Sequence, residues 1–131
     1  MIPVRYNALE NCKNRHQGTQ KKILCVCSAG LLRSPTAAMV LVRDRDVNVR
    51  SCGIHDYALI RYDQVLHEWA DEILFMEKEH MMAAELYAGK VKKPYYILDV
   101  PDNYQYGHPE LQVELRRRLF GEGGIYADDA L

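Results

Sequence analysis

Residues 23 to 36 read Ile-Leu-Cys-Val-Cys-Ser-Ala-Gly-Leu-Leu-Arg-Ser-Pro-Thr. An apolar run ends at Cys27, five residues intervene, and Arg33-Ser34-Pro35 opens a stretch in which Ala37, Ala38, Met39, Leu41 and Val42 combine good helix propensity with an apolar side. The spacing predicts a strand, a tight loop and a helix over 22–45. Pro35 suits the first helical position, where its missing N–H costs nothing, and Ser34 stands where an N-cap is wanted, within reach of the Cys27 sulfur. Gly30 in mid-loop tolerates positive φ and lets backbone approach a ligand closely.

The same alternation continues along the chain. Strand-like apolar runs at 22–27, 47–52, 72–76 and 95–100 alternate with helix-like segments at 34–45, about 60–69, 78–88 and 109–120. This pattern predicts an α/β fold with three α/β/α layers, a four-stranded parallel sheet, and the Cys27 loop between strand 1 and helix 1. Loops at the carboxyl ends of parallel strands gather ligands. The Cys27 loop and the loop carrying Asp102 therefore fall on one sheet edge. The last helix turns Leu111, Leu115 and Leu119 inward, and Arg116-Arg117-Arg118 near its end complement its dipole as a solvated face.

A cysteine joined through five residues to Arg and Ser describes a thiolate nucleophile inside an anion cradle. With four cysteines in 131 residues, roughly 0.01 matches to C-x5-R-[ST] arise by chance. Attack requires the thiolate, so the site must depress a free pKa of about 8.5. The strand end, the inward-turned N–H groups of Ser28, Ala29, Gly30, Leu31 and Leu32, and the positive end of the next helix favour the anion. Arg33 adds a full charge and a planar fork that holds two phosphoryl oxygens through the transition state.

These residues resemble the phosphate loop of the low-molecular-weight protein tyrosine phosphatases, C-x5-R-[ST] usually followed by Pro. Arg50-Ser51-Cys52-Gly53-Ile54 is similar to the family's second strand and its exit, and Trp69 to Glu77 to its third. Val100-Pro101-Asp102-Asn103-Tyr104 resembles its late Asp-Pro-Tyr-Tyr loop, and with Pro109-Glu110-Leu111 points to a short subgroup of predicted phosphatases. The resemblance spans roughly residues 21–120. It implies hydrolysis of phosphotyrosine-like phosphomonoesters through a phosphocysteine, with Cys27 as nucleophile, Arg33 and Ser34 as its catalytic partners, Asp102 as general acid and Tyr104 as substrate wall. Gly30 stands where the family usually has a loop-steadying Asn, and Leu32 where many members carry a second cysteine.

Asp102 is also indicated by its own setting, because it lies in a Pro-bearing loop just beyond the apolar run Tyr96-Ile97-Leu98; Asp99 is the second choice. The weaker alternative is that Asp102-Asn103 are simply turn residues, a role common for both types. Tyr104 and Tyr106 can stack on an aromatic substrate. His67, His80 and His108, with no motif near them, read as surface or cap residues.

At 131 residues the chain buries about two-thirds of its unfolded surface as one domain. Residues 1–20 read as an N-terminal extension, 21–120 as the phosphatase-like domain and 121–131 as a poorly ordered tail. The four cysteines lie at irregular spacing, and no C-x2-C or spaced His pair supports zinc at Cys12, His16, Cys25, Cys27 or Cys52, so no metal and no cofactor are expected. A thiolate nucleophile and the lack of a signal-like segment favour the cytoplasm. Seventeen basic and eighteen acidic residues nearly cancel, which argues against nucleic acid or membrane as partner. The expected partner is a phosphotyrosine protein or small phosphomonoester, met by a monomer or weak dimer. Two other readings stay open: an arsenate reductase-like enzyme using an external thiol, and a catalytically impaired phosphate- or phosphotyrosine-binding module.

Overall fold

A computed structural model describes residues 19–29, 33–58, 60–101 and 103–128. Among these the elements run β1 (Lys22–Cys27), α1 (Arg33–Asp44), β2 (Asn48–Gly53), α2 (Gln64–Trp69), β3 (Glu72–Phe75), α3 (Lys78–Ala88), β4 (Tyr95–Ile97) and α4 (Pro109–Phe120). The strands form one sheet in the order β2-β1-β3-β4, and every pairing is parallel.

Strand β1 shows why an unbroken apolar run was needed. Successive side chains point to opposite faces. Ile23, Cys25 and Cys27 join Ala37, Leu41, Leu111, Leu115 and Leu119 in a core beneath α1 and α4, while Leu24 and Val26 join Leu66, Ile73, Phe75 and Ala84 beneath α2 and α3. Both faces are covered, as parallel sheets require. Chain order reverses at β1, whose neighbours are β2 on one side and β3 on the other. In open α/β sheets ligands bind outside the carboxyl ends of the strands at such a reversal, here the ends of β1 and β3.

Three expectations need correction. Helix α2 begins at Gln64, not near residue 60: the backbone of 60–62 brackets Gly53, with Gly53 N donating to Ile60 O and Tyr62 N to Gly53 O, both at 2.8 Å, before Asp63 caps Leu66 N. Strand β4 covers only Tyr95–Ile97; beyond it Leu98 N and Val100 N still donate to Phe75 O and Met76 O, and Asp99 between them takes a left-handed φ of 60°. The segment after α4 is not a loose tail over its described part. Tyr126 is 1% exposed and its hydroxyl donates to Glu72 Oε1 at 2.6 Å, while Ile125 N and Tyr126 N donate back to Arg118 O and Leu119 O. Glycine permits this fold-back: a Cβ at Gly121 would lie 2.5 Å from Arg117 O.

No described helix is long and apolar enough to cross a membrane.

Candidate active site

Cys27 ends β1 at that reversal, and the chain leaving β2 pins both Cys27 and its neighbour Ser28. Ile54 N donates to Cys27 O at 3.0 Å and to Ser28 O at 2.9 Å, and His55 N donates to Ser28 O at 2.9 Å. Ser28 and Ala29 thus leave the strand on a fixed course. Gly30, Leu31 and Leu32 lie outside the described residues.

Ser34 lies inside α1 as its second residue, not at the expected N-cap, and its side chain returns to Cys27. Its Oγ is 3.2 Å from Cys27 Sγ and 3.2 Å from Cys52 O, to which it donates. One hydroxyl proton faces two acceptors. With Cys27 as thiol, the S–H donates to Ser34 and Ser34 donates to the carbonyl; with Cys27 as thiolate, the Ser34 proton swings to sulfur and forms a charge-assisted bond. Both the thiol and the thiolate form of Cys27 therefore have a prepared partner in one buried hydroxyl.

Arg33 is 1% exposed and must be paired at burial. Its Nη1 donates to the Glu77 carboxylate and, at 2.8 Å, to Val100 O; its Nη2 donates to Ser28 Oγ at 3.2 Å. The Nη1 corner is anchored on the β3–α3 junction and the base of the Asp102 loop, which turns the Nη2 side toward the Cys27 loop. That Arg33 hydrogen bond, foremost among several influences, holds the Glu77 carboxyl below its ordinary value of 4.5.

Asp102 lies outside the described residues. Its neighbours show how the loop is tied: Val100 is buried with its carbonyl on Arg33, and Gly107 N donates to Thr36 Oγ1 of α1 at 2.9 Å. Tyr104 packs partly on the core beside α4, its ring centroid 5.7 Å from that of His108. Tyr106 reaches the other way, toward Met39. Asp99, the second choice of acid, is solvent-exposed.

Several residues around Cys27 and Arg33 carry no motif in the sequence. Glu77 is one; its signal was a carboxylate just past β3, on the ligand-gathering edge. His80 is another, buried at 4% exposure with Nε2 2.9 Å from Ser28 Oγ. The pair His55–Tyr57 is a third, stacked at 4.9 Å with Tyr57 73% exposed, on the loop that clamps Cys27 and Ser28. His108 does cap α4, accepting from Glu110 N, whereas His67 is buried against the Tyr62 hydroxyl.

The other described cysteines are not rivals. Burial first, and the charge of Cys27 second, push the Cys25 thiol far up, and the same causes act on Cys52. Iodoacetate at neutral pH is therefore expected to label Cys27 ahead of Cys25 and Cys52 by at least about tenfold in rate, read by peptide mass spectrometry, with inorganic phosphate protecting Cys27 alone. Equal labelling of the three would remove the special status of Cys27. Among the described residues no group of three His, Cys, Asp or Glu side chains is placed to hold a metal ion.

No protein-family model matches the chain, and no curated protein is significantly similar to it. Solved structures are similar. Wzb of Vibrio vulnificus, in complex with benzylphosphonate, superposes with a TM-score of 0.59 at 23% identity over 75% of this chain and 90% of that one. The tyrosine phosphatase Wzb of Escherichia coli, in complex with phosphate, gives 0.60 at 17% identity over 76% and 93%. A mutant of the arginine phosphatase YwlE, known from Bacillus subtilis, with a phosphorylated active-site serine, gives 0.54 at 21% identity over 73% and 91%. At these identities the likeness establishes a shared fold, that of the low-molecular-weight protein tyrosine phosphatases.

Proposed function

We propose that this chain, folded as those phosphatases are, is a cysteine-dependent phosphatase of phosphotyrosine-like monoesters. The observation that carries the reading is the meeting of Cys27 Sγ and Ser34 Oγ at 3.2 Å at the sheet's reversal point, beside a buried guanidinium whose Nη2 faces the same loop. A phosphoryl group bound there has a nucleophile below and a fixed positive fork at its side.

In the first step the Cys27 thiolate attacks phosphorus, the S–P bond forms, the P–O bond to the leaving group breaks, and Asp102 gives that oxygen its proton. Arg33 and the loop N–H groups hold the equatorial oxygens as charge shifts. In the second step water attacks the phosphocysteine, Asp102 accepts its proton, and the S–P bond breaks to release phosphate and thiolate. The Ser34 hydroxyl donates to the departing sulfur as charge returns to it. Tyr104 and Tyr57, the latter exposed on the loop that clamps Cys27 and Ser28, are the rings offered to an aromatic leaving group, each well-placed stack contributing about 0.5–1.5 kcal/mol. The thiolate needs a reducing compartment, and the enzyme works as a monomer or weak dimer without metal.

The test is hydrolysis of p-nitrophenyl phosphate and a phosphotyrosine peptide in EDTA across pH, with Asp102→Asn beside the wild type. The variant is expected to lose about 10²–10⁴-fold in kcat on the peptide, and less on the nitrophenyl ester, whose oxygen departs readily without a proton. Turnover abolished by EDTA, or an unchanged kcat in Asp102→Asn on the peptide, would sink the mechanism. A phosphoarginine peptide in the same assay separates ester from phosphoramidate hydrolysis. Thiol-dependent loss of arsenate would instead support the arsenate reductase reading.

A further inference from the structure

Four residues close a ring around the first turn of the Cys27 loop. Arg33 Nη1 donates to the Glu77 carboxylate; Glu77 N donates to His80 Nδ1 at 3.0 Å; His80 Nε2 lies 2.9 Å from Ser28 Oγ; and Arg33 Nη2 donates to the same oxygen at 3.2 Å. A backbone N–H can only donate, so His80 Nδ1 is an acceptor and carries no proton. The neutral ring then carries its proton on Nε2, which donates to Ser28 Oγ. Ser28 Oγ receives two donors, one per lone pair. Its own hydroxyl proton is directed away from both the imidazole and the guanidinium.

We propose that Ser28 is an anion-binding residue through its hydroxyl, and that His80 is the positioning residue that turns this hydroxyl onto the phosphoryl oxygens bound above Cys27. The inference rests on the phosphatase reading for the identity of the anion. Physically, a hydroxyl whose lone pairs are already filled by a cationic and a ring N–H is a better donor, since chained hydrogen bonds polarise one another. The ring also sets the Arg33 plane relative to the loop, because Ser28 Oγ and Glu77 hold two corners of the guanidinium at once. His80 reaches the anion only through Ser28. Its burial at 4% exposure and its fixed tautomer keep that contact from competing with water.

The experiment compares Ser28→Ala, His80→Leu, the double variant and His80→Gln. Affinity for inorganic phosphate is read as protection of Cys27 from iodoacetate, kcat and KM with p-nitrophenyl phosphate, and folding by thermal melting. Each of Ser28→Ala and His80→Leu is expected to weaken phosphate binding about 10–100-fold, the range of a hydrogen bond to a charged group. The double variant is expected to be no weaker than the worse single one, since both remove one donor. Gln presents an amide N–H near the position of Nε2, so His80→Gln should recover most of the affinity, which a purely structural role for the imidazole would not produce. Multiplicative losses in the double variant, or unchanged phosphate affinity in folded Ser28→Ala, would overturn the proposal; Ser28→Ala decides it even if His80→Leu does not fold. Because protection needs no turnover, a wild type that binds phosphate through Ser28 yet hydrolyses nothing would defeat the phosphatase reading and leave this one standing.

Discussion

Cys27→Ser is expected to lower metal-free turnover of p-nitrophenyl phosphate by about 10⁴-fold or more while leaving phosphate affinity within a few fold. A serine hydroxyl at this position is almost wholly protonated at neutral pH. Ser34 cannot activate it as it does sulfur, since it offers a hydrogen bond and no base. The proposed anion site is otherwise intact, because the groups assigned to hold oxygens, Arg33 and Ser28, are tied to Glu77, Val100 O and His80 and not to the sulfur. Kinetics in EDTA and calorimetry with inorganic phosphate measure the two halves. Retained turnover would remove Cys27 as nucleophile. A wild type that binds phosphotyrosine but is as slow as this variant would make the chain a binding module, the outcome that Gly30 keeps in play.

The features that sequence reasoning reached are those in which the deciding residues are neighbours in the chain. Strand β1 is legible because both faces are buried and its six residues are nearly all apolar. Cys27, Arg33 and Ser34 are legible because one loop and one helix turn join them, and the Cys27–Ser34 contact spans only seven residues. Glu77 and His80 meet Arg33 and Ser28 across 44 and 52 positions. What brings them together is the parallel register of β1 on β3, in which Val26 pairs with Phe75 and carries Cys27 and Met76 to the same edge. No spacing rule encodes that register. His80 looked like a cap, and does accept from Glu77 N, but the ring's other nitrogen performs the contact that only tertiary structure reveals. The tail after α4 is ambiguous in sequence for a different reason: its glycines at 121, 123 and 124 suit both slack chain and close backbone approach, and the buried Tyr126 decides for the second.

Arg33→Lys keeps the charge, yet is expected to reduce kcat/KM by about 10³–10⁵-fold, the scale of an arginine that stabilises phosphoryl transfer. An ammonium is a point donor. It cannot serve Glu77, Val100 O and Ser28 Oγ while still presenting a planar edge to two phosphoryl oxygens, so either the ring or the anion goes unserved. Stability should respond more modestly. Glu77 is 33% exposed, so solvent screens the pair, and the larger loss comes from Val100 O left buried with its donor gone. The two effects separate by pH. The folded-state carboxyl of Glu77 is depressed, so its contribution to stability is full above the unfolded value of 4.5 and disappears as pH falls through the lower folded value. Thermal melts of the wild type should therefore weaken on acidification in that window more steeply than melts of Arg33→Lys, while the activity defect persists near neutrality, where Glu77 is charged in both proteins. Equal acid slopes would mean that lysine restores the Glu77 contact, and a near-normal kcat/KM would mean that the fork geometry is dispensable and charge alone holds the phosphoryl group.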